Sequence, residues 1–235
     1  MNIVSCNIAL CPHCGSKKEI VKLRSGNTIG AILWSDAKYV APMLPKASPI
    51  QKCPACGHFF FFNENNSEEG DKCTLKEGWL TFDESIMAFK ELNNDKKDRL
   101  ELLTIIIIWA YNDMFRNNIE PTPEQSSVFK DIISENLKRN IFSYNKIFRA
   151  ELYREIGKFD ESIRLLNECF LEELIYSKIT KLFSFKGTLE SCIFDTCKYL
   201  KKRDIIEKAK QQDCKVFAIW KSPYCYPPRA RSIDH

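Results

Sequence analysis

A chain of 235 residues, 44% hydrophobic, 28% charged and 12% aromatic, has material for a sizeable core, and its length accommodates one domain or two. The longest apolar run, Leu102 to Ala110 broken by Thr104, falls well short of the roughly 20 residues a membrane helix needs, so no membrane partner is expected. A net charge of +4 is weak for holding polyanions by charge alone; the first residues lack a basic start and a long apolar stretch, which argues against a signal peptide and makes the cytoplasm the expected compartment.

The first chemical feature is CPHCG at Cys11–Gly15, which returns as CPACG at Cys53–Gly57. Thiolate is a soft ligand, and two C-x-x-C pairs supply the tetrahedral sulfur set that zinc favours. The spacing lets both sulfurs of a pair reach one ion. The glycine lets the turn continue where a side chain would obstruct it, and backbone amides in such turns can point at the sulfurs. Cys11, Cys14, Cys53 and Cys56 are therefore the expected ligands; four free thiols would leave the duplicated motif to chance. With no open position for water, the site is expected to be structural and to contribute folding free energy to a small domain. Iron in the same four sulfurs, moving one electron, is the rival. His13 and His58 are expected to be surface or packing residues.

Eleven cysteines, an odd number, in a long chain without an export signal favour metal over a disulfide framework. Cys6, Cys73, Cys169, Cys192, Cys197, Cys214 and Cys225 are expected mostly as buried or semi-buried thiols. Up to about residue 62 the chain predicts short strands and turns: IVKLRS and TIGAILWS carry β-branched and apolar residues, and Gly26-Asn27 and Ser35-Asp36 supply turn chemistry. Pro42, Pro45 and Pro49 keep the chain extended. Residues 1–62 hold seven basic against two acidic residues, a formal +5 that four thiolates on one zinc would lower to +3. NENNSEEGDK, Asn63 to Lys72, is polar and acidic and predicts a linker or surface loop, with a domain boundary there.

Beyond it the apolar period becomes helical. Phe82, Ile86, Phe89 and Leu92 form one stripe, with Thr81 or Asp83 as cap. A second helix is predicted from about Asp95 to Asn117; its apolar residues run almost all round, as in a central helix covered on several sides. Thr122-Pro123-Glu124-Gln125 is a helix start for a third, to about Arg139. A fourth is predicted from Ser143 to Ile156, stopped by Gly157, and a fifth from Asp160 to about Leu174, so close that the two must form an antiparallel hairpin. Residues 177–211 are predicted to be helical with an interruption near Gly187, and VFAIW, Val216 to Trp220, fits either a strand or a helix end. The tail SPYCYPPRARSIDH is expected to be extended or disordered.

The paired CPxCG turns over about residues 6–62 resemble the zinc ribbons and rubredoxin-like knuckles, in which such turns lie at the ends of β-hairpins. ELYREIGKFDESIRLLNECF, Glu151 to Phe170, resembles the turn of a tetratricopeptide repeat: Tyr153 on the first helix, Gly157 at the bend, Phe159 after it, then Ser162 at the small-residue position and Ile163 on the second helix. FDESI also occurs at Phe82–Ile86, 77 residues earlier, which is no multiple of the 34-residue repeat; an irregular helical bundle with one hairpin is the plainer alternative. The combination resembles a group of uncharacterised bacterial proteins and implies architecture without an activity. The expected fold is thus α+β, a small β zinc ribbon (1–72, with the linker) followed by a mainly α-helical, tetratricopeptide-like domain (73–235).

These features predict a non-enzymatic zinc-binding adaptor whose helical surface meets another protein. Nucleic-acid binding is the alternative, using Lys17, Lys18, Lys22, Arg24, Lys38, Lys46 and Lys52 for phosphate and Trp34 and Tyr39 for stacking. KYLKKR, Lys198 to Arg203, is another basic stretch, most simply a solvated helix face. The chain has no P-loop, HExxH, Gly-rich dinucleotide turn or nucleophile motif. An unusual fold could still hold an enzyme site among Asp36, Asp113 and nearby groups, and WAYND at Trp109–Asp113 is most simply the polar edge of a core helix.

Overall fold

The computed structural model describes residues 3–25, 29–41, 48–62, 67–70, 78–93, 96–169 and 202–221. Among these residues, small antiparallel sheets and six helices make a mixed α+β structure. In chain order the elements are β1 (Ile3–Leu10), β2 (Lys17–Ser25), β3 (Ile32–Trp34), β4 (Tyr39–Val40), β5 (Ile50–Lys52), β6 (Phe59–Phe61) and β7 (Ser67–Gly70). There follow α1 (Phe82–Leu92), α2 (Lys97–Arg116), α3 (Pro123–Lys138), α4 (Lys146–Glu155), α5 (159–169), α6 (Lys202–Lys210) and β8 (Ala218–Lys221). No helix among the described residues is long and apolar enough to cross a membrane.

The chain divides into two compact units. The described residues within Met1–Ala31 and Val40–Asp113 form the first, and those within Ile32–Tyr39 and Met114–Lys221 the second. The boundary expected near residue 72 falls in 71–77, outside the described residues. In the first unit, α1 and most of α2 belong with the ribbon, for a physical reason: Ile50 and Phe59 of the β5–β6 hairpin share one apolar cluster with Ala88, Leu103 and Ile106. Lys52 adds an ion pair to Glu84 of α1 at 3.0 Å.

Strand β1 pairs antiparallel with β2 on one side, Leu10 opposite Lys17, and with β7 on the other, Ala9 opposite Ser67. Part of the predicted linker is therefore an edge strand. SEEG has no strand propensity; pairing of its backbone with β1 gives it extended structure. β8 pairs with β3, Leu33 opposite Trp220, which settles VFAIW as a strand from Ala218 on.

Helix starts follow the predicted caps. Thr81 accepts a hydrogen bond from the Glu84 N–H at 3.2 Å, and Thr122 accepts one from the Gln125 N–H at 3.2 Å; both form complete capping boxes. Changing Thr122 to Ala is expected to cost about 1 kcal/mol, read as a lowered urea midpoint for the transition that melts α3; an unshifted midpoint would show the box contributes nothing. α4 starts later than predicted, because Asn145 caps it by accepting from the Phe148 N–H at 3.0 Å. The predicted starts at Ser143 and Asp95 move to Lys146 and Lys97, while residues beyond 169 of the fifth helix, most of the 177–211 segment, the prolines at 42 and 45 and the C-terminal tail lie outside the described residues.

Four helices stop the same way. Asn118, Asn140, Gly157 and Gln212 have φ of 58°, 58°, 84° and 54°. Each is followed by an N–H that reaches back five residues, as from Lys158 to the Tyr153 carbonyl at 2.8 Å. After α4 this αL turn directs the chain straight into α5. Ile147 and Ala150 of α4 and Leu165, Leu166 and Cys169 of α5 bury against one another, with Tyr153 packed beside them, and Ile205 of α6 and Ile219 of β8 complete the cluster. Both FDESI copies open a helix and bury their serine, Ser85 at 1% and Ser162 at 0% exposure, so the repeated motif marks a helix start that must lie close to its neighbour.

Candidate metal centre

Each knuckle sits between the strands of a hairpin: Cys11–Gly15 joins β1 to β2, and Cys53–Gly57 joins β5 to β6. Their backbones are copies of one another. Gly15 and Gly57 donate to the Cys11 and Cys53 carbonyls, both at 2.9 Å, and the Cys11 and Cys53 amides donate to the Ser16 and His58 carbonyls at 2.9 and 2.8 Å. The glycines have φ of 71° and 76°, and a Cβ on either would meet nothing within 4 Å, so left-handed backbone rather than space demands glycine there.

The two knuckles face each other. All four expected sulfurs lie within 4.8 Å of one another, Cys11 to Cys56 at 3.7 Å and Cys14 to Cys53 at 3.6 Å. Tetrahedral Zn–S bonds of about 2.3 Å place sulfurs roughly 3.7 Å apart, so the spacing suits one ion. Cys11 and Cys53 are buried, whereas Cys14 and Cys56 are exposed.

Backbone amides converge on the sulfurs: those of Ala55 and Cys56 on Cys53, that of Ser16 on Cys14 and that of His58 on Cys56. The Ser16 hydroxyl adds contacts of 3.0 Å to Cys53 and 3.1 Å to Cys14. Ser16 and these amides hold the Cys53 thiol down to about 5, and Ser16 likewise lowers Cys14. Four clustered sulfurs cannot all carry charge unaided. Although the His58 amide favours the Cys56 thiolate, burial and the three neighbouring sulfurs push that thiol up to about 12. A cation with two positive charges removes this conflict, since metal ligands must be thiolates.

Ser16 and Glu91 were not singled out by sequence reasoning. Ser16 occupies the step after its knuckle glycine that His58 occupies after the other, and nothing local announces that its hydroxyl reaches a sulfur from the opposite knuckle. His13 and His58 are exposed, as expected, but they are neighbours: their rings stack with centroids 4.3 Å apart and an interplanar angle of 11°. Glu91 of α1 accepts from the Phe59 amide at 3.2 Å and lies 2.7 Å from His58 Nδ1.

The other expected cysteines divide. Cys169 is buried, and Cys214 is a half-buried thiol pushed up by its burial. Cys6 departs from expectation: it is buried and disulfide-bonded. Cys73, Cys192, Cys197 and Cys225 lie outside the described residues.

Of the four lysines of the proposed basic set whose side chains are described, three are committed elsewhere. Lys38 is buried, Lys52 pairs with Glu84, and Lys18 donates to the Lys52 carbonyl at 3.1 Å. Lys17 and Tyr39 are exposed, and Arg116 stacks over the Trp34 ring at 5.1 Å. Lys46, the side chains of Lys22 and Arg24, and those of the 198–203 stretch lie outside the described residues. Asp36 is fully buried, accepting from the Lys38 amide at 3.1 Å and pairing with Arg116, which assigns it to holding the β3–β4 turn.

Comparison with known proteins returns no match among protein-family models, curated proteins or solved structures. The four-cysteine group could hold a metal ion.

Proposed function

We propose that this is a non-enzymatic zinc-binding adaptor, in which a structural four-cysteine zinc site shapes a ribbon and a tetratricopeptide-like helical surface binds a partner protein. The observation that carries the metal reading is the convergence of four sulfurs from two equivalent knuckles whose backbone amides already point at them. Cys11, Cys14, Cys53 and Cys56 would hold the ion and fill a tetrahedral shell, leaving it no position for water. The bound ion neutralises sulfur charge and ties the β1–β2 hairpin to β5–β6.

Support for the adaptor half is the α4–α5 hairpin, turned at Gly157 and packed through a buried Ser162. A surface depression of about 480 Å³ lies beside this turn, lined by Lys158, Asp160, Glu161, Lys210 and neighbouring residues. Such a mixed-charge recess suits a peptide with charges of both signs better than a nucleic acid. A captured partner should be lost on reversing Glu161 and Lys210 and retained on changing Lys17, the exposed ribbon lysine; the opposite pattern favours the ribbon as the binding face.

Four thiolates suit iron as well as zinc. Untagged protein purified from its own host is expected to be colourless and to carry zinc; a coloured, iron-containing protein would replace the adaptor reading by electron transfer.

A further inference from the structure

Where the two knuckles face each other, three side chains that have no part in the sulfur site come together. His13 comes from the first knuckle, His58 follows the second, and Glu91 stands in the last turn of α1. One donor atom from each lies within 4.8 Å of the others. The Glu91 carboxylate oxygen Oε1 is 2.7 Å from His58 Nδ1 and 3.9 Å from His13 Nε2. We propose that His13, His58 and Glu91 form a second metal site, open to solvent and selective for a borderline divalent cation such as zinc, nickel or copper.

The chemistry of the donors sets the class of ion. Two imidazoles and one carboxylate suit borderline transition cations, whereas magnesium and calcium prefer all-oxygen shells. Three protein ligands leave coordination positions to water, unlike the sulfur site. The side chains are 44%, 52% and 30% exposed, so both faces of the ring pair can adjust without disturbing a core. The nearly parallel rings must tilt their nitrogens inward to reach bonds of about 2.0–2.1 Å. Their positions are set by what surrounds them: the His58 carbonyl accepts from the Cys53 amide, His13 stands inside the knuckle closed by the Cys11–Ser16 and Gly15–Cys11 hydrogen bonds, and the Phe59 amide donates to the Glu91 carboxylate.

This inference rests on the four-sulfur reading, because the rings meet only while the knuckles are closed. The test uses full-length, untagged protein already holding one zinc that survives dialysis, titrated with zinc chloride by calorimetry and by NMR of the imidazole protons. The chain has only three histidines, so each ring can be followed. One further equivalent is expected, moving the resonances of His13 and His58 and leaving His235 in place. His13→Ala, His58→Ala and Glu91→Gln should each weaken that equivalent at least about tenfold, the usual loss on removing a ligand or its support, while the first zinc stays bound; His235→Ala should leave both unchanged. No second equivalent, a second equivalent that leaves the two rings unmoved, or one undiminished in the three variants would overturn the site. Absence of the first, dialysis-resistant zinc in the unaltered protein would instead overturn the four-sulfur reading beneath it.

Discussion

Withdrawing the metal with a strong chelator, or replacing Cys53 by serine, is expected to unfold the ribbon while α4 and α5 keep their structure. The small core beneath the knuckles consists of Ala9, Cys11, Ile20, Cys53 and Phe60 with Phe62 against it, so two of its five buried members belong to the proposed ligand set. Without the ion, local desolvation and the three neighbouring sulfurs oppose ionisation of Cys56, and the knuckles have little reason to stay together. Structural zinc supplies an apparent binding free energy on the order of 10–16 kcal/mol in zinc-finger peptides, comparable to or above the whole stability of a typical domain, about 5–15 kcal/mol. Hydrogen exchange should therefore show the amides of β1, β2, β5 and β6 losing protection. The α4–α5–α6 cluster contains no ribbon residue, which is why its amides should remain protected. Full protection of both hairpins in the metal-free chain would mean that the apolar contacts of Ile50 and Phe59 with the helices suffice.

Changing Arg154 to Ala is expected to cost about 3–5 kcal/mol, the range for removing one member of a buried ion pair. Arg154 is fully buried in α4. It donates to both Glu151 carboxylate oxygens, at 2.8 and 2.5 Å, and to the Asp213 carbonyl after α6, and it stacks over Phe217 at 5.2 Å. Burial alone would favour loss of its proton, but the Glu151 charge more than offsets this and keeps the guanidinium firmly charged. Truncation leaves the equally buried Glu151 unpaired and releases the segment that leads into β8. Removing both charges together, as Arg154→Met with Glu151→Gln, should cost less than Arg154→Ala alone. Denaturation followed through amides of α4 and α5 reports this unit specifically, as a chain of two units need not unfold in one step. Equal losses in the single and double variants would show that packing, not charge pairing, sets the cost.

What the sequence made legible is what short-range chemistry encodes. CPHCG and CPACG carry their geometry in the glycine and the cysteine spacing; Thr81, Thr122 and Gly157 carry theirs in a capping hydroxyl or an αL turn. The edge strand at Ser67–Gly70 was misjudged because its extended structure comes from backbone pairing with β1, to which Ser, Glu and Gly contribute no pattern. The β3–β8 ladder, the Asp36–Arg116 pair and the Arg154–Asp213 contact likewise join distant parts of the chain, where no periodicity announces a partner. At the candidate metal centre the four-cysteine cluster is legible in the paired motifs, whereas Ser16 on the sulfurs and Glu91 beside the histidines depend on how two hairpins and a helix meet.

Zinc K-edge X-ray absorption, on protein carrying one dialysis-resistant zinc per chain, tests the central claim most directly. Four sulfur scatterers at about 2.3 Å are predicted, with no nitrogen or oxygen in the first shell. A shell that includes light atoms near 2.0–2.1 Å would contradict a closed four-cysteine site and show that a histidine, a carboxylate or water completes the coordination.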